Sequence, residues 1–249
     1  MNKKFLYRAL SVLFALCLWQ IAALCVHADF LLASPLQVIA RCFTLFTDSD
    51  FLPTLLFSFL RISSGFLLAF VGGIFCAVVA ARFRWAEYLL QPFVVAVKTV
   101  PIASFIILCL LWLDFNQLTV FIAALIAFPV LYSNVLHGIQ SADVRLVEVA
   151  DLYRVPFARR LLYIYLPAVK SHLLSACNVA IGTAWKAGVA AEVIGVVKGS
   201  IGGKLYDAKI YFQNADLLAW TIIIIAVGAI SEKIMSCVIR LLYGRIEKL

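Results

Sequence analysis

The feature that most constrains this chain is a series of six long apolar runs. They cover residues 5–26, 55–81, 91–113, 117–136, 173–197 and 217–239. A helix needs about 20 mostly apolar residues to cross the hydrocarbon core of a bilayer. The runs lack the alternation of apolar and polar residues that a membrane β-barrel requires. The sequence therefore predicts an all-α integral membrane protein, with six transmembrane helices in a single domain, 1–249.

Composition excludes the main alternative classes. Of the 249 residues, 65% are hydrophobic and only 14% are charged. Soluble domains carry about 25% charged residues, and disordered chains have low hydrophobicity, so neither class fits. The net charge of +8 is typical of basic cytoplasmic loops in a membrane protein. We therefore expect the lipid bilayer as a partner and no nucleic acid.

The distribution of basic residues predicts the orientation of the chain. With the N-terminus inside, thirteen Lys and Arg residues fall in or beside the inner segments and four in the outer segments. Because inner loops carry the excess of basic residues, we expect both termini in the cytoplasm. Residues 34–48 then form an amphipathic outer segment, with Leu36, Ile39, Phe43 and Phe46 on one side. Residues 138–172 form a long cytoplasmic loop.

Two of the runs carry small residues at every fourth position. Such a stripe stays on one helix face and lets helix backbones approach closely. The stripes are Gly65, Ala69, Gly73, Ala77 and Ala81 in the second run, and Ala176, Ala180, Ala184 and Gly188 in the fifth. Packing within one bundle is the expected explanation, and a subunit interface is the alternative.

The sequence contains no motif for catalysis, metal binding or nucleotide binding. It has no GxxxxGK[ST], GxSxG or HExxH pattern and no CxxC pair. Its histidines, His27, His137 and His172, lack the spacing of metal ligands. We therefore expect no enzymatic activity, no catalytic residue, no metal and no cofactor in this chain. Energy for active transport would have to enter through another polypeptide.

The long inner loop contains the most informative motif. Its residues Glu148, Ala150, Ile164, Leu166 and Pro167 resemble the "EAA" loop of importer-type ABC transporter permeases. That pattern is roughly E-A-A-x-x-x-G, about ten residues, then I-x-L-P. On physical grounds alone, a basic amphipathic stretch lying on anionic lipid is an equal alternative.

Two positions of this loop depart from the family pattern. Val149 replaces the first alanine, which is a mild change, and Arg154 stands where the family usually has glycine. The glycine permits a turn between two short helices. We expect Pro156 to supply the break here instead, because proline ends a helix.

The resemblance extends over nearly the whole chain. Residues 33–38, 60–66, 98–103, 184–192 and 199–203 are similar to the nitrate/sulfonate/taurine subfamily. The resemblance implies a type I importer fold in the bacterial inner membrane, working by alternating access. It also implies a permease homodimer, an extracytoplasmic solute-binding protein, and a cytoplasmic ABC ATPase that binds ATP and magnesium. The solute it implies is a small anion or a vitamin precursor.

The resemblance assigns the inner loop to contact with the ATPase. The residues it implies are Glu148, Ala150, Asp151, Tyr153, Arg154, Val155, Pro156 and Arg159.

Charged residues within the runs are the candidates for a solute path, because charge in hydrocarbon is costly. Lys186, Lys98 and Glu192 are such residues, and Trp185 lies beside Lys186. Alternatively, Lys186 pairs with Glu192 or another helix, and Lys98 extends its amine to the membrane surface. A secondary transporter without ATP remains a second functional hypothesis; it predicts inverted repeats and ion-coupling acids. A structural or assembly subunit is a third.

Overall fold

Within the residues that the computed structural model describes, 3–26 and 32–246, every regular element is a helix. The helices are α1 (Lys3–Val26), α2 (Pro35–Thr47), α3 (Phe51–Arg82), α4 (Arg84–Thr99), α5 (Ile102–Cys109), α6 (Phe115–Gln140), α7 (Val144–Leu152), α8 (Phe157–Arg160), α9 (Leu166–Ile194), α10 (Ile201–Ile210) and α11 (Asn214–Ile246). A π-helical turn, Leu161–Tyr165, joins α8 to α9. His27 and the two ends of the predicted domain, 1–2 and 247–249, lie outside the described residues.

Four helical stretches are long and apolar enough to cross a membrane. They are α3, α6, the stretch Leu161–Ile194, and Asn214–Leu241 of α11. The helices α4 and α5 reach the same length only together, and the apolar stretch Leu13–Cys25 of α1 is shorter. An all-helical membrane architecture with four or five such spans is therefore confirmed, whereas the count of six stays a prediction.

The third predicted span, over the apolar run 91–113, is not one continuous helix. The helices α4 and α5 are separated by Val100 and Pro101, and their axes differ by 105°. Proline has no N–H to donate and its ring disfavours helical conformation in the preceding residue. The run is therefore broken at Pro101, and apolar composition alone did not show this.

The core is a layer of three long helices in which α6 lies between α3 and α9. A Cβ atom on Gly65 would collide with the carbonyl oxygen of Val120, and one on Gly73 would lie 3.0 Å from Leu131 Cβ. The small-residue stripe of α3 therefore packs against α6 in the same chain. These contacts run in the same order along both helices, so α3 and α6 are parallel.

The helix α9 runs in the opposite direction. Gly138, near the end of α6, packs against Val169 and His172 near the start of α9, and Gly195 packs against Leu118. Since α3 and α6 are parallel, the chain must return from one end of the bundle to the other between them. The pair α4 and α5 makes this return despite its bend.

The outer segment predicted at 34–48 contains α2. Ser34 caps it, because its side chain accepts from the backbone N–H of Gln37 while the Gln37 side chain accepts from Ser34 N–H. Val38 and Leu45 are buried against the bundle. The other apolar side chains of the segment, Leu36, Ile39, Phe43 and Phe46, are exposed. This arrangement suits a helix with one face on protein and one on lipid.

Candidate functional site

The loop between α6 and α9 folds into two short helices joined by a tight turn. Asp143 caps α7 by accepting a hydrogen bond from the backbone N–H of Arg145, at 2.9 Å. At the other end, Val155 N–H donates to the Ala150 carbonyl (2.9 Å) and Arg154 N–H to the Asp151 carbonyl (3.1 Å). This pair of bonds is the Schellman arrangement that ends many helices.

The turn forms at Arg154 itself, in the left-handed conformation with φ of +48°. The expectation that Pro156 would supply the break instead of the family's glycine is wrong. Pro156 comes two residues later, where its carbonyl accepts the first hydrogen bonds of α8. A residue with a Cβ atom pays about 1–2 kcal/mol in this conformation, so neighbouring contacts must stabilise the turn.

Arg160, which the sequence analysis did not single out, provides such contacts. Its Nε donates to the carbonyl oxygen of Val155 at 2.7 Å, and Nη2 donates to that of Ala150 at 3.0 Å. Its Nη1 pairs with the carboxylate of Asp151. Asp151 is thus engaged within the loop rather than free for a partner. In the sequence, the one hint of this role for Arg160 was that Arg154 stands where the family usually has glycine.

The outward face of α7 is exposed and partly apolar. Ala150 is 4% exposed, whereas Leu152 is 79% and Tyr153 75% exposed. Glu148 is exposed on the same outward face. Phe157, at the start of α8, adds a further exposed aromatic side chain. Exposed apolar side chains clustered at a polar end of a molecule are typical of a protein contact site.

The remaining predicted loop residues divide by exposure. Arg154, Pro156 and Arg159 are exposed, and Val155 is half-buried. The structure therefore brings Glu148, Tyr153 and Arg159 to the surface of one loop, while Ala150 and Asp151 hold that loop together.

The two candidate lysines of the solute path are both exposed on membrane helices. Lys98 donates from Nζ to Ser133 Oγ on α6, at 2.9 Å. Lys186 makes no ion pair with any carboxylate in the described part of the chain. It lies eight residues before Ile194, the end of α9, so its Cα is about 12 Å from that end.

Lys186 stands on an open face of α9. Gly182, one turn earlier, has open space where a side chain would lie, and Val179 on the same side is 53% exposed. Trp185 does not share this face: it is 2% exposed and its ring lies 6.1 Å from that of Phe59. The structure therefore separates Trp185 from Lys186, although the two are neighbours in sequence.

Glu192 is fully buried, and it binds α10 and α3 rather than a lysine. Its Oε2 accepts from Ser58 Oγ of α3 at 2.8 Å and from the backbone N–H of Gly202 at 3.1 Å. Ser58 Oγ in turn accepts from the backbone N–H of Ile201, at 2.9 Å. Together these side chains bind the first turn of α10, whose N–H groups have no partners within the helix. The sequence did not single out Ser58.

Two glycines of the segment 199–203, Gly202 and Gly203, allow this close approach. A Cβ atom on Gly202 would collide with Glu192 Cβ and lie 2.6 Å from the backbone nitrogen of Val193. A Cβ atom on Gly203 would collide with the carbonyl of Val197. The small residues thus let α10 fold back onto the end of α9.

The end of the bundle opposite to α7 carries charged pairs. Arg41 of α2 binds Asp216 of α11, with Nη2 2.9 Å from Oδ2, and Lys204 lies 3.7 Å from Asp50. The hydrogen bonds that Arg41 donates to the carboxylate of Asp216 raise the pKa of Arg41 above its ordinary value. A cavity of about 310 Å³ lies between these side chains.

Long apolar helices, with a helical loop at one end and a charged surface at the other, define the class of helical integral membrane proteins. Residues 69–248 match the family model described as "Binding-protein-dependent transport system inner membrane component". The match covers more than half of the chain, which therefore belongs to this family. The predicted resemblance to importer-type ABC permeases is confirmed, and the chain is a multi-pass inner-membrane protein.

Curated relatives agree with this assignment. The chain is 28% identical to the "Putative aliphatic sulfonates transport permease protein SsuC" of Bacillus subtilis (strain 168), over 86% of this chain and 78% of that protein. It is 26% identical to the "Nitrate import permease protein NrtB" of Synechococcus elongatus, over 83% and 77%. It is 27% identical to the "Bicarbonate transport system permease protein CmpB" of the same species, over 72% and 65%.

A solved structure shares the fold. The chain in the "Crystal structure of an amino acid ABC transporter with histidines" superposes with a TM-score of 0.60 at 16% identity. The likeness covers 83% of this chain and 96% of that one.

Proposed function

We propose that this chain is the membrane subunit of an ATP-driven importer and that it works as a homodimer. In this proposal, a cytoplasmic ATPase that binds ATP and magnesium docks on the loop, and an extracytoplasmic solute-binding protein docks on the opposite end. The observation that carries the proposal is that Glu148 lies beside exposed apolar side chains on the outward face of α7. The contacts of Arg160 hold this loop together from inside. Copurification of this chain with an ABC ATPase, and ATP-dependent uptake by the reconstituted complex, test it.

The mechanism proposed is alternating access. Closure of two ATPase subunits displaces α7 and α8, and the π-helical turn passes that displacement into α9, which carries Lys186. A change at α9 also reaches α10, because Glu192 and Gly202 are hydrogen-bonded. Both ends of the transport path are thus linked to one long helix.

The proposed cargo is a small anion. Two observations support this: the relatives named above are described as permeases for sulfonates, nitrate and bicarbonate, and Lys186 presents a cation on an open helix face. Such a cation offsets the cost of removing an anion from water.

Replacement of Lys186 by methionine tests its role in the path. We expect Lys186→Met to assemble normally but to lower uptake of the anion by about tenfold or more, since charge-assisted hydrogen bonds contribute about 1.5–3 kcal/mol. Lys186→Arg, which keeps the charge, is expected to retain most of the uptake. Reconstituted complexes assayed for both assembly and solute-stimulated ATP hydrolysis give the answer. A well-assembled Lys186→Met variant with normal uptake at all solute concentrations would remove Lys186 from the path.

The proposed orientation places both termini and α7 in the cytoplasm and α10 outside. In a chain whose seven cysteines have been replaced, we expect an impermeant thiol reagent to label Tyr211→Cys in intact cells. Tyr153→Cys should react only after the cells are opened. Both native side chains are at least 70% exposed, so burial does not limit either reaction. Labelling of Tyr153→Cys from outside would reverse the orientation.

A further inference from the structure

We infer that Arg160 is a positioning residue that holds α7 at a fixed angle to α8 and thereby replaces the glycine that the loop lacks. The inference rests on the proposed function, because it concerns the loop assigned to the ATPase. It goes further by assigning a role to a residue that does not face that partner.

Arg160 is placed to act on the turn rather than on a partner. Its side chain is 21% exposed, and its guanidinium points back across the turn. There it reaches two carbonyl oxygens, those of Val155 and Ala150, and the carboxylate of Asp151. The planar guanidinium donates in several fixed directions at once, which a lysine cannot do.

Two of these acceptors, the carbonyl oxygens of Ala150 and Val155, belong to the residues that the turn at Arg154 brings together. The Ala150 carbonyl also accepts from Val155 N–H in the bond that closes the turn, and the Asp151 carbonyl accepts from Arg154. With glycine at position 154 the turn would form without steric cost. With Arg154 at φ of +48°, the contacts from Arg160 keep α7 closed on α8.

A closed turn transmits the movement of α7 to the membrane helices. A turn that opens under load would let α7 move without α8 and α9, and ATPase closure would be lost in the loop. A turn that stays closed makes α7, α8 and the start of α9 move together. Arg160 thus determines how much of the displacement at Glu148 reaches the membrane helices.

The test combines three variants with two separate measurements. Arg160→Gln removes the charge and leaves two of the five N–H donors, Arg154→Gly removes the need for them, and the third variant contains both changes. The first measurement is amide hydrogen exchange at Val155 in the purified full-length permease. The second is ATP-dependent uptake per ATP hydrolysed in the complex with its ATPase. Arg84→Gln, an exposed arginine at the same end of the bundle, is the control and should change neither quantity.

We expect Arg160→Gln to speed Val155 exchange by about tenfold and to lower uptake per ATP several-fold, an effect of about 1.4 kcal/mol on turn opening. The double variant should return both quantities toward the original values, because glycine forms the turn unaided. Arg160→Lys should be intermediate, and it serves in place of Arg160→Gln if that variant does not insert.

Three results would overturn the inference, and the third would overturn the proposed function as well. Unchanged Val155 exchange in Arg160→Gln would show that the contacts do not hold the turn. Faster exchange with normal uptake in Arg160→Gln would show that turn closure is not needed for coupling, provided that Glu148→Arg does uncouple the same complex. If Glu148→Arg also leaves uptake normal, the proposed function of the loop itself fails, and the inference fails with it.

Discussion

Reversal of the charge at Glu148 is expected to abolish coupled uptake while the permease still inserts in the membrane. Glu148 is exposed on the outward face of α7, opposite Ala150, which is 4% exposed. The substituted arginine therefore disturbs no internal contact but faces any protein docked on α7. Loss of a central interface residue costs about 2 kcal/mol or more, which is about 30-fold in affinity, and a homodimer would incur this loss twice.

Two further variants make this result specific. Glu148→Gln removes the charge without reversing it and should have a smaller effect. Asp114→Arg is a matched charge reversal at an exposed residue whose side chain makes no capping hydrogen bond, and it should leave copurification of the ATPase unchanged. Copurified ATPase and uptake are measured for all three. Normal ATPase association and uptake in Glu148→Arg would exclude α7 as the docking element.

The sequence predicted the membrane helices well because their signal is local. Runs of about 20 apolar residues can satisfy their backbone in lipid only as helices, and α3, α6, α9 and α11 follow from that rule. The bend at Pro101 was less predictable. Proline also occurs inside membrane helices without ending them, as Pro129 does in α6, so the residue type alone does not distinguish the two outcomes.

The rotation of each helix about its axis could not be predicted. The exposed residues of α9 mix polar side chains, such as Ser171 and Ser175, with apolar ones, such as Val179, so the hydrophobic pattern distinguishes its faces only weakly. Lys186 and Glu192 are six residues apart in α9, so their side chains point in directions about 120° apart around the helix axis. One is therefore exposed and the other fully buried. Because the rotation of α9 was unknown, Trp185 was included among the candidates for the path, although neighbouring residues on a helix point in different directions.

Contacts between segments that are distant in sequence also could not be predicted. Ser58 is one serine in an apolar run, and only the packing of α3 on α9 and α10 brings it to Glu192. Arg160 is one of several basic residues in the loop, and its contacts exist only because Arg154 reverses the chain. The resemblance singled out the loop as a unit, but it did not separate the residues that face outward from those that hold the loop closed.

Removal of the Glu192 carboxyl group is expected to detach α10 from the bundle. Oε2 of this residue accepts from Ser58 Oγ and from Gly202 N–H, and all of these groups are buried. In Glu192→Ala both donors lose their acceptor, and each such loss costs about 1–3 kcal/mol. We expect a clearly lower thermal unfolding midpoint for the purified full-length chain, and faster amide exchange over the first turn of α10.

Two companion variants separate this contact from a general effect of the substitution. Glu192→Gln keeps an acceptor oxygen and a similar volume, so most of the stability should remain. Gly202→Ala leaves Glu192 in place but adds a Cβ atom that cannot fit beside Glu192 Cβ and the backbone of Val193; it should free α10 much as Glu192→Ala does. Because both substitutions break the same contact, their effects on stability should be less than additive when combined. Full additivity, or slow exchange in α10 in both single variants, would mean that Glu192 does not hold α10 in place. In that case the link from α9 to the charged end of the bundle would have to run through other residues.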